Sequence, residues 1–161
     1  MRRTLCTALL IAVAAGIPAA AGGDPKEIKA VARRVFEEIF NKGRYEVADE
    51  IYARDFVNHG VGREIGLKED QDAARGWRAA FPDIRMTVET MIVEGDLVAV
   101  LWSVEGTNTG EGNGLPATGK RMEGRGITIW RIVDGKIREE WTEFDMLPLL
   151  KQLGLLPPQR K

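Results

Sequence analysis

Residues 122–144 read MEGRGITIWRIVDGKIREEWTEF, and the pair at their centre, Asp134-Gly135, decides the fold. Asp-Gly between two runs rich in β-branched and aromatic residues marks a two-residue hairpin turn, whose two positions both need a positive φ. Met122 to Val133 and Lys136 to Phe144 are therefore expected as antiparallel strands. Upstream, Ile84 to Val93 and Leu97 to Gly106 also alternate with period two and are joined at Glu94-Gly95-Asp96. The residues between the hairpins, Thr107 to Lys120, read as a loop. Gly110-x-Gly112-x-Gly114 within it looks like a phosphate-binding loop only superficially, because no helix follows to hold a phosphate at its N-terminus.

Before Pro82 the period is close to four. Asp24-Pro25-Lys26-Glu27 is a helix start: Asp24 caps, Pro25 fits the first helical position and Glu27 completes a capping box. Ile28, Val31, Ala32, Val35, Phe36, Ile39 and Phe40 follow at helical spacing, and Gly43 is the stop. A second, short helix is expected from about Tyr45 to Tyr52, then an extended segment Phe56 to Gly60. A third helix runs from about Leu67 to Ala80, with Leu67, Ala74, Trp77 and Phe81 on one stripe. The tail from Leu147 to Leu156 is a short apolar helix. Helices first and antiparallel strands afterwards give an α+β fold, with the helices on one face of a curved sheet.

The chain has 161 residues, 44% apolar and 29% charged, enough for one domain with its own core. Its 23 Lys and Arg against 24 Asp and Glu exclude a general electrostatic grip on nucleic acid. A single cysteine, Cys6, excludes a disulfide framework and a cysteine zinc cluster, and a single histidine, His59, excludes a multi-histidine site; no metal is expected. The one serine, Ser103, lies mid-strand without a Gly-x-Ser-x-Gly elbow, which argues against a serine hydrolase. Residues 1–21 read as an export signal. Arg2 and Arg3 precede the uncharged run Leu5 to Ala15, Pro18 breaks it, and Ala19-Ala20-Ala21 is a small-x-small cleavage site. Cleavage after Ala21 would leave a domain of residues 22–161, exported to the periplasm or secreted, free of cysteine and without membrane attachment.

Chemistry concentrates late in the chain. Glu139, Glu140, Glu143 and Asp145 crowd the last strand. On strict alternation Ile137, Glu139, Trp141, Glu143 and Asp145 share one face, although a bulge would change that parity. A carboxyl group beside a tryptophan in a dry cavity has its pKa raised and can exchange protons near neutral pH. His59, at the end of an extended segment beside Gly60, is a candidate pocket residue, and Asn58 can add a polar contact. Trp102, Trp130 and Trp141 can wall an apolar cavity for a flat ligand.

Several stretches taken together resemble one family. They are Phe56-Val57-Asn58-His59, Phe81-Pro82-Asp83-Ile84-Arg85, Glu94-Gly95-Asp96, Gly106-Thr107, Gly114 to Lys120, Asp134-Gly135-Lys136-Ile137 to Trp141 with Asp145, and Gln152-Leu153-Gly154. In this order they resemble the SnoaL-like polyketide cyclases, or ester cyclases, of the nuclear-transport-factor-2-like superfamily. The sequence departs from that pattern at Asn108, where the family often carries histidine, and at Ala117, a frequent proline.

The resemblance implies a cone-shaped, curved antiparallel sheet closed by N-terminal helices around a deep pocket. It implies a cofactor-free intramolecular aldol closure of a polyketide ester, with a late aspartate as the acid–base group. That aspartate corresponds to Asp145, and the family's pocket histidine corresponds to His59. The expected roles are Asp145 as base and then acid, and His59 as hydrogen-bond partner to a substrate oxygen. Glu140 and Glu143 are expected to matter much less. The expected partners are a small hydrophobic or polyketide-like molecule and a second copy, in a homodimer or higher homo-oligomer. Two alternatives stand beside this reading: an exported, non-catalytic binder of a small hydrophobic ligand, and an epoxide-type hydrolase that activates water with a carboxylate.

Overall fold

The computed structural model describes residues 23–60 and 62–156, so the expected export signal at residues 1–21 lies outside the described residues. Asp24 caps the first helix as its sequence predicts, accepting a hydrogen bond from Lys26 N at 2.9 Å, with Pro25 in the first turn. Helix α1 (Pro25–Arg34) passes directly into a π-helical turn, Val35–Phe40, closed by Asn41 N donating to Phe36 O at 2.9 Å. The wider turn brings Val35, Phe36, Ile39 and Phe40 to the same inner side, where all four border a cavity.

Helix α2 (Val47–Ile51) is shorter than its sequence suggests, and Tyr52 already begins strand β1 (Tyr52–Asn58). Strand β2 (Ile65–Gly66) and helix α3 (Leu67–Ala80) follow. Two hairpins come next, β3 (Arg85–Glu94) with β4 (Leu97–Thr107), and β5 (Arg121–Val133) with β6 (Lys136–Phe144). The chain then enters helix α4 (Met146–Leu153). At the second hairpin Asp134 and Gly135 have φ of +52° and +71°, the positive pair that the Asp-Gly sequence predicts.

The six strands form one curved, unclosed sheet in the order β2-β1-β6-β5-β4-β3. Most neighbours are antiparallel, but β1 runs parallel to β6, with Tyr52 opposite Ile137 and Asn58 opposite Glu140. The sheet is therefore mixed rather than wholly antiparallel. Alternation of side chains reports which face is buried and is blind to the direction of the neighbouring strand.

Glycine allows the strong curvature. Gly124 and Gly126 lie on the inner face of β5. A Cβ on Gly126 would fall 2.2 Å from the Trp102 ring, and one on Gly124 would fall 2.8 Å from the Phe144 ring. The two aromatic rings thus lie against bare backbone. Phe36 meets Trp102 and Trp130 from the helical side, at centroid distances of 6.5 and 5.4 Å, and joins the helices to the sheet in one core.

The loop between β4 and β5 is held by Asn108. Its fully buried amide donates to Ala80 O and Gly110 O, and its Oδ1 accepts from the Thr118 backbone and hydroxyl. The glycines here serve close approach to α3. A Cβ on Gly110 or Gly112 would lie 2.0 Å from Ala79 O or Gly76 O.

Candidate active site

Beyond the Asp-Gly turn, β6 does not alternate regularly. Ile132 pairs with Ile137, but the next pair is Arg131 with Glu139, so Arg138 is an extra residue on β6. This bulge inverts the expected faces. Ile137 points inward, and so do Glu140, Thr142 and Phe144. Glu139 and Trp141 turn to the outer side.

The inward residues open onto a cavity of about 290 Å³ between the sheet and the helices. Phe36, Phe40, Trp77, Trp102, Met122 and Phe144 form apolar walls. Asn58, Asp70, Gln71, Thr128, Glu140 and Thr142 form a polar end, while Glu143 and Met146 are exposed at the border.

Glu140 is the centre of that end and is only 9% exposed. Trp130 Nε1 donates to its Oε2 at 2.7 Å. Thr142 Oγ1 and Asn58 Nδ2 both donate to its Oε1, at 2.8 and 3.1 Å. Asn58 Nδ2 also donates to Asp70 Oδ1 at 2.7 Å, so one amide serves two carboxyl groups. The orientation of that amide is fixed from behind, because its Oδ1 accepts from Gly60 N at 2.7 Å. Gln71 Nε2 supplies a second hydrogen bond to Asp70, at 3.1 Å.

A hydroxyl chain extends the network. Trp102 Nε1 donates to Thr128 Oγ1 at 3.0 Å, and Thr128 Oγ1 lies 2.9 Å from Thr142 Oγ1. An indole N–H can only donate. Thr142 spends its own hydrogen on Glu140, so in the contact between the two hydroxyls Thr128 is the donor.

Burial, and then the negative charge of Asp70, push Glu140 up to about 7; the three donors pull in the opposite sense without cancelling it. Burial also raises Asp70, against the hydrogen bonds from Asn58 and Gln71. Tyr52 borders the same cavity, and its hydroxyl is pushed well above the ordinary value by burial and by the charges of Asp70 and Glu140. Two carboxyl groups that resist joint ionisation hold a proton near neutral pH, the condition for exchanging one with a ligand.

Of the residues singled out from the sequence, Asn58, Trp102 and Trp130 line the cavity; His59, Trp141 and Asp145 do not. Asp145 is the exposed N-cap of α4 and accepts from Leu147 N at 3.0 Å. The end of β6 and the start of α4 need a capping acceptor at this position, and the carboxylate serves the backbone there. His59 stacks on Trp141 on the outer side, with centroids 4.9 Å apart and planes 14° from parallel. Its Nδ1 is 3.3 Å from Glu64 and its Nε2 is 3.5 Å from Glu139. The bulge places Trp141 outward, and His59 follows it, one residue past the inward Asn58.

Asp70 was not among the candidates, although a signal for it exists. It lies three residues after Leu67, four before Ala74 and seven before Trp77, on the inner stripe of α3. Among the described residues no group of three or more His, Cys, Asp or Glu side chains is placed to hold a metal ion.

The profile of the SnoaL-like polyketide cyclase family matches residues 30–153. Nogalonic acid methyl ester cyclase of Streptomyces nogalater is 35% identical over 124 residues, covering 71% of this chain and 89% of that protein. An aklanonic acid methyl ester cyclase of Streptomyces sp. (strain C5) is 33% identical over 122 residues, covering 73% and 76%. Among solved structures, AclR of Streptomyces galilaeus, a proposed hydroxylase, superimposes with a TM-score of 0.76 at 30% identity, covering 86% of this chain and 87% of its own. One scaffold thus carries more than one proposed chemistry, and the site has to decide among them.

Proposed function

The chain belongs to the SnoaL-like polyketide cyclase family, and on that premise we propose that Asp70 and Glu140 are the acid–base pair of a ring-closing enzyme. The observation that carries the reading is Glu140 itself, buried at the polar end of an apolar cavity and raised to about 7 beside a second carboxyl group. The proposal gives this role to the pair rather than to Asp145, the exposed N-cap of α4, which is not among the lining residues.

The substrate class is a carbonyl compound with an acidic C–H bond, such as the polyketide esters after which the relatives are named. The ionised member of the pair takes the C–H proton. The resulting enolate carbon attacks a second carbonyl carbon of the same molecule and forms the new C–C bond. The alkoxide oxygen then takes the proton back from the pair. Protons and electrons balance within one molecule, so the reaction requires no cofactor. The Tyr52 hydroxyl makes no hydrogen bond among the described residues, and it is the donor left over for an enolate oxygen. The aromatic walls hold the ring being formed and exclude water.

The test is turnover of nogalonic acid methyl ester by the purified protein and by Glu140→Gln. Ring closure leaves the mass unchanged, hydrolysis adds one water and hydroxylation adds one oxygen. The expected result is an isomer of unchanged mass, with turnover reduced about 10²–10⁴-fold in the variant. A product of altered mass, or equal turnover in the two proteins, overturns the reading.

Export is a separate proposal, supported by Arg2, Arg3, the apolar run and Ala19-Ala20-Ala21. Mass spectrometry of the protein from its native cell should find an N-terminus at Gly22. Retention of residues 1–21 counts against it.

A further inference from the structure

Among the described residues, the cavity wall holds three carboxyl groups and no cation. Asp70 and Glu140 lie at the inner end and Glu143 at the border, and no Arg, Lys or His is among the lining residues. Apart from the Tyr52 hydroxyl and the second amide hydrogen of Gln71, the hydrogen-bond donors of the inner end are already committed. Both amide hydrogens of Asn58, the indole N–H groups of Trp102 and Trp130, and the Thr128 and Thr142 hydroxyls all serve protein acceptors. The capacity left there is mostly for accepting. Gln71, 6% exposed and on the same wall, has an Oε1 with no hydrogen-bond partner among the described residues. Further along the cavity, in its apolar walls, stand Trp102 and Phe144, 5.6 Å apart, and Trp77, 6.3 Å from Phe144 at nearly a right angle.

We propose that the cavity selects its ligands by charge, binding apolar compounds that carry a primary ammonium group seated between Asp70 and Glu140, and rejecting carboxylates of the same shape. An ammonium brings three donors to a wall of acceptors, and its charge offsets the repulsion between the two carboxyl groups. The aromatic walls further along the cavity bury the apolar part of such a ligand. A carboxylate brings a third negative charge and no donor into a site with little water, where such a charge is expensive to bury. The inference rests on the acid–base reading only in seating the ligand's polar group at that pair. It extends that reading, because an amine of this kind would occupy the base in its ionised form and block the reaction.

Binding should be linked to protons. The titratable groups facing the pair are Tyr52 from β1 and Glu143 from β6. The lining residues of α1 and its π-helical turn, β2, β3, β4, β5 and α4 contribute none, and α3 contributes Asp70 itself. The ligand amine stays charged throughout, so seating it below neutral pH must expel the proton held by the pair.

The experiment is calorimetric titration of the purified protein with 1-naphthylmethylamine, 1-naphthalenemethanol and 1-naphthoate between pH 5 and pH 8. The amine should bind about tenfold tighter per pH unit up to about 7 and then level off. The alcohol should show little pH dependence. At pH 8 the carboxylate should bind at least about tenfold more weakly than the alcohol. In Glu140→Gln the rise with pH should disappear for the amine, while retained alcohol binding reports an intact cavity. The wild-type series decides by itself if that variant does not fold. Equal affinity for amine and carboxylate, or no binding of the amine at pH 8, overturns the proposal. A charge-blind cavity together with lost turnover in Glu140→Gln would remove this inference and leave the acid–base reading standing. Charge selection with unchanged turnover would do the reverse.

Discussion

Trp130 Nε1 donates to Glu140 Oε2 at 2.7 Å across the β5–β6 pair. A hydrogen bond from a donor-only group favours the ionised carboxylate. Trp130→Phe keeps an aromatic ring and removes that donor. The acidic limb of the pH–rate profile should move upward, by up to about one pH unit, and away from the wild-type value of about 7. A profile measured on the variant that coincides with wild type would show that this bond does not tune the site.

Stability should depend on pH in a way that identifies the pair. Glu140 is raised from 4.5 to about 7, so between those values the native state holds a proton that the unfolded chain has released. Unfolding then releases a proton, and stability falls as pH rises through that window, by about 1.4 kcal/mol per pH unit, and flattens above it. Asp70 acts in the same direction. Asp83, lowered by its hydrogen bonds to Thr107, acts in the opposite sense and at more acid pH. Urea melts of wild type and Glu140→Gln at pH 5 and pH 8 isolate the term: the variant should lose much less stability between the two.

Asp145→Ala separates capping from catalysis. Losing the bond to Leu147 N should lower stability by about 1 kcal/mol and leave turnover within about twofold of wild type. A loss of turnover comparable to that of Glu140→Gln, at retained stability, would return the chemistry to the end of β6.

Gly126→Ala tests the curvature. The added methyl would meet the Trp102 ring at 2.2 Å, and this ring is also bonded to Thr128. The variant should be destabilised by about 1–3 kcal/mol in thermal or urea melts. Its cavity should also take two-ring ligands less tightly, because the ring can yield only into that space.

The fold was legible because its signals are local. Asp24-Pro25 starts α1, Leu67 with Ala74 and Trp77 marks the buried stripe of α3, and Asp134-Gly135 forces the hairpin. The cavity lining was legible in part: Asn58, Trp102 and Trp130 border it, as a polar residue at a strand end and tryptophans on strands suggest, while Trp141 does not. Glu140 was misplaced because alternation was carried through Arg138, and a bulge leaves no mark in the apolar pattern. Asp70 was overlooked because its acidic neighbours Glu69 and Asp72 resemble a solvated helix face, although its spacing puts it inside. The parallel pairing of β1 with β6 depends on a contact some eighty residues distant in the chain, beyond the reach of any local pattern.

The extra residue in β6 also bears on how insertions and deletions would act on this protein. Removing Arg138 would not turn the strand over. Ile137 would be followed by Glu139 outward and Glu140 inward, the facing they already have. A shortened chain would keep its carboxyl group inside and lose the local bend and added twist that the bulge imposes. An added residue between Glu139 and Glu140 would instead exchange the two sets and send Glu140 to solvent. Tolerance to length change in this strand is therefore lopsided, and two relatives of unequal length can keep the same inner face at different residue counts from the turn.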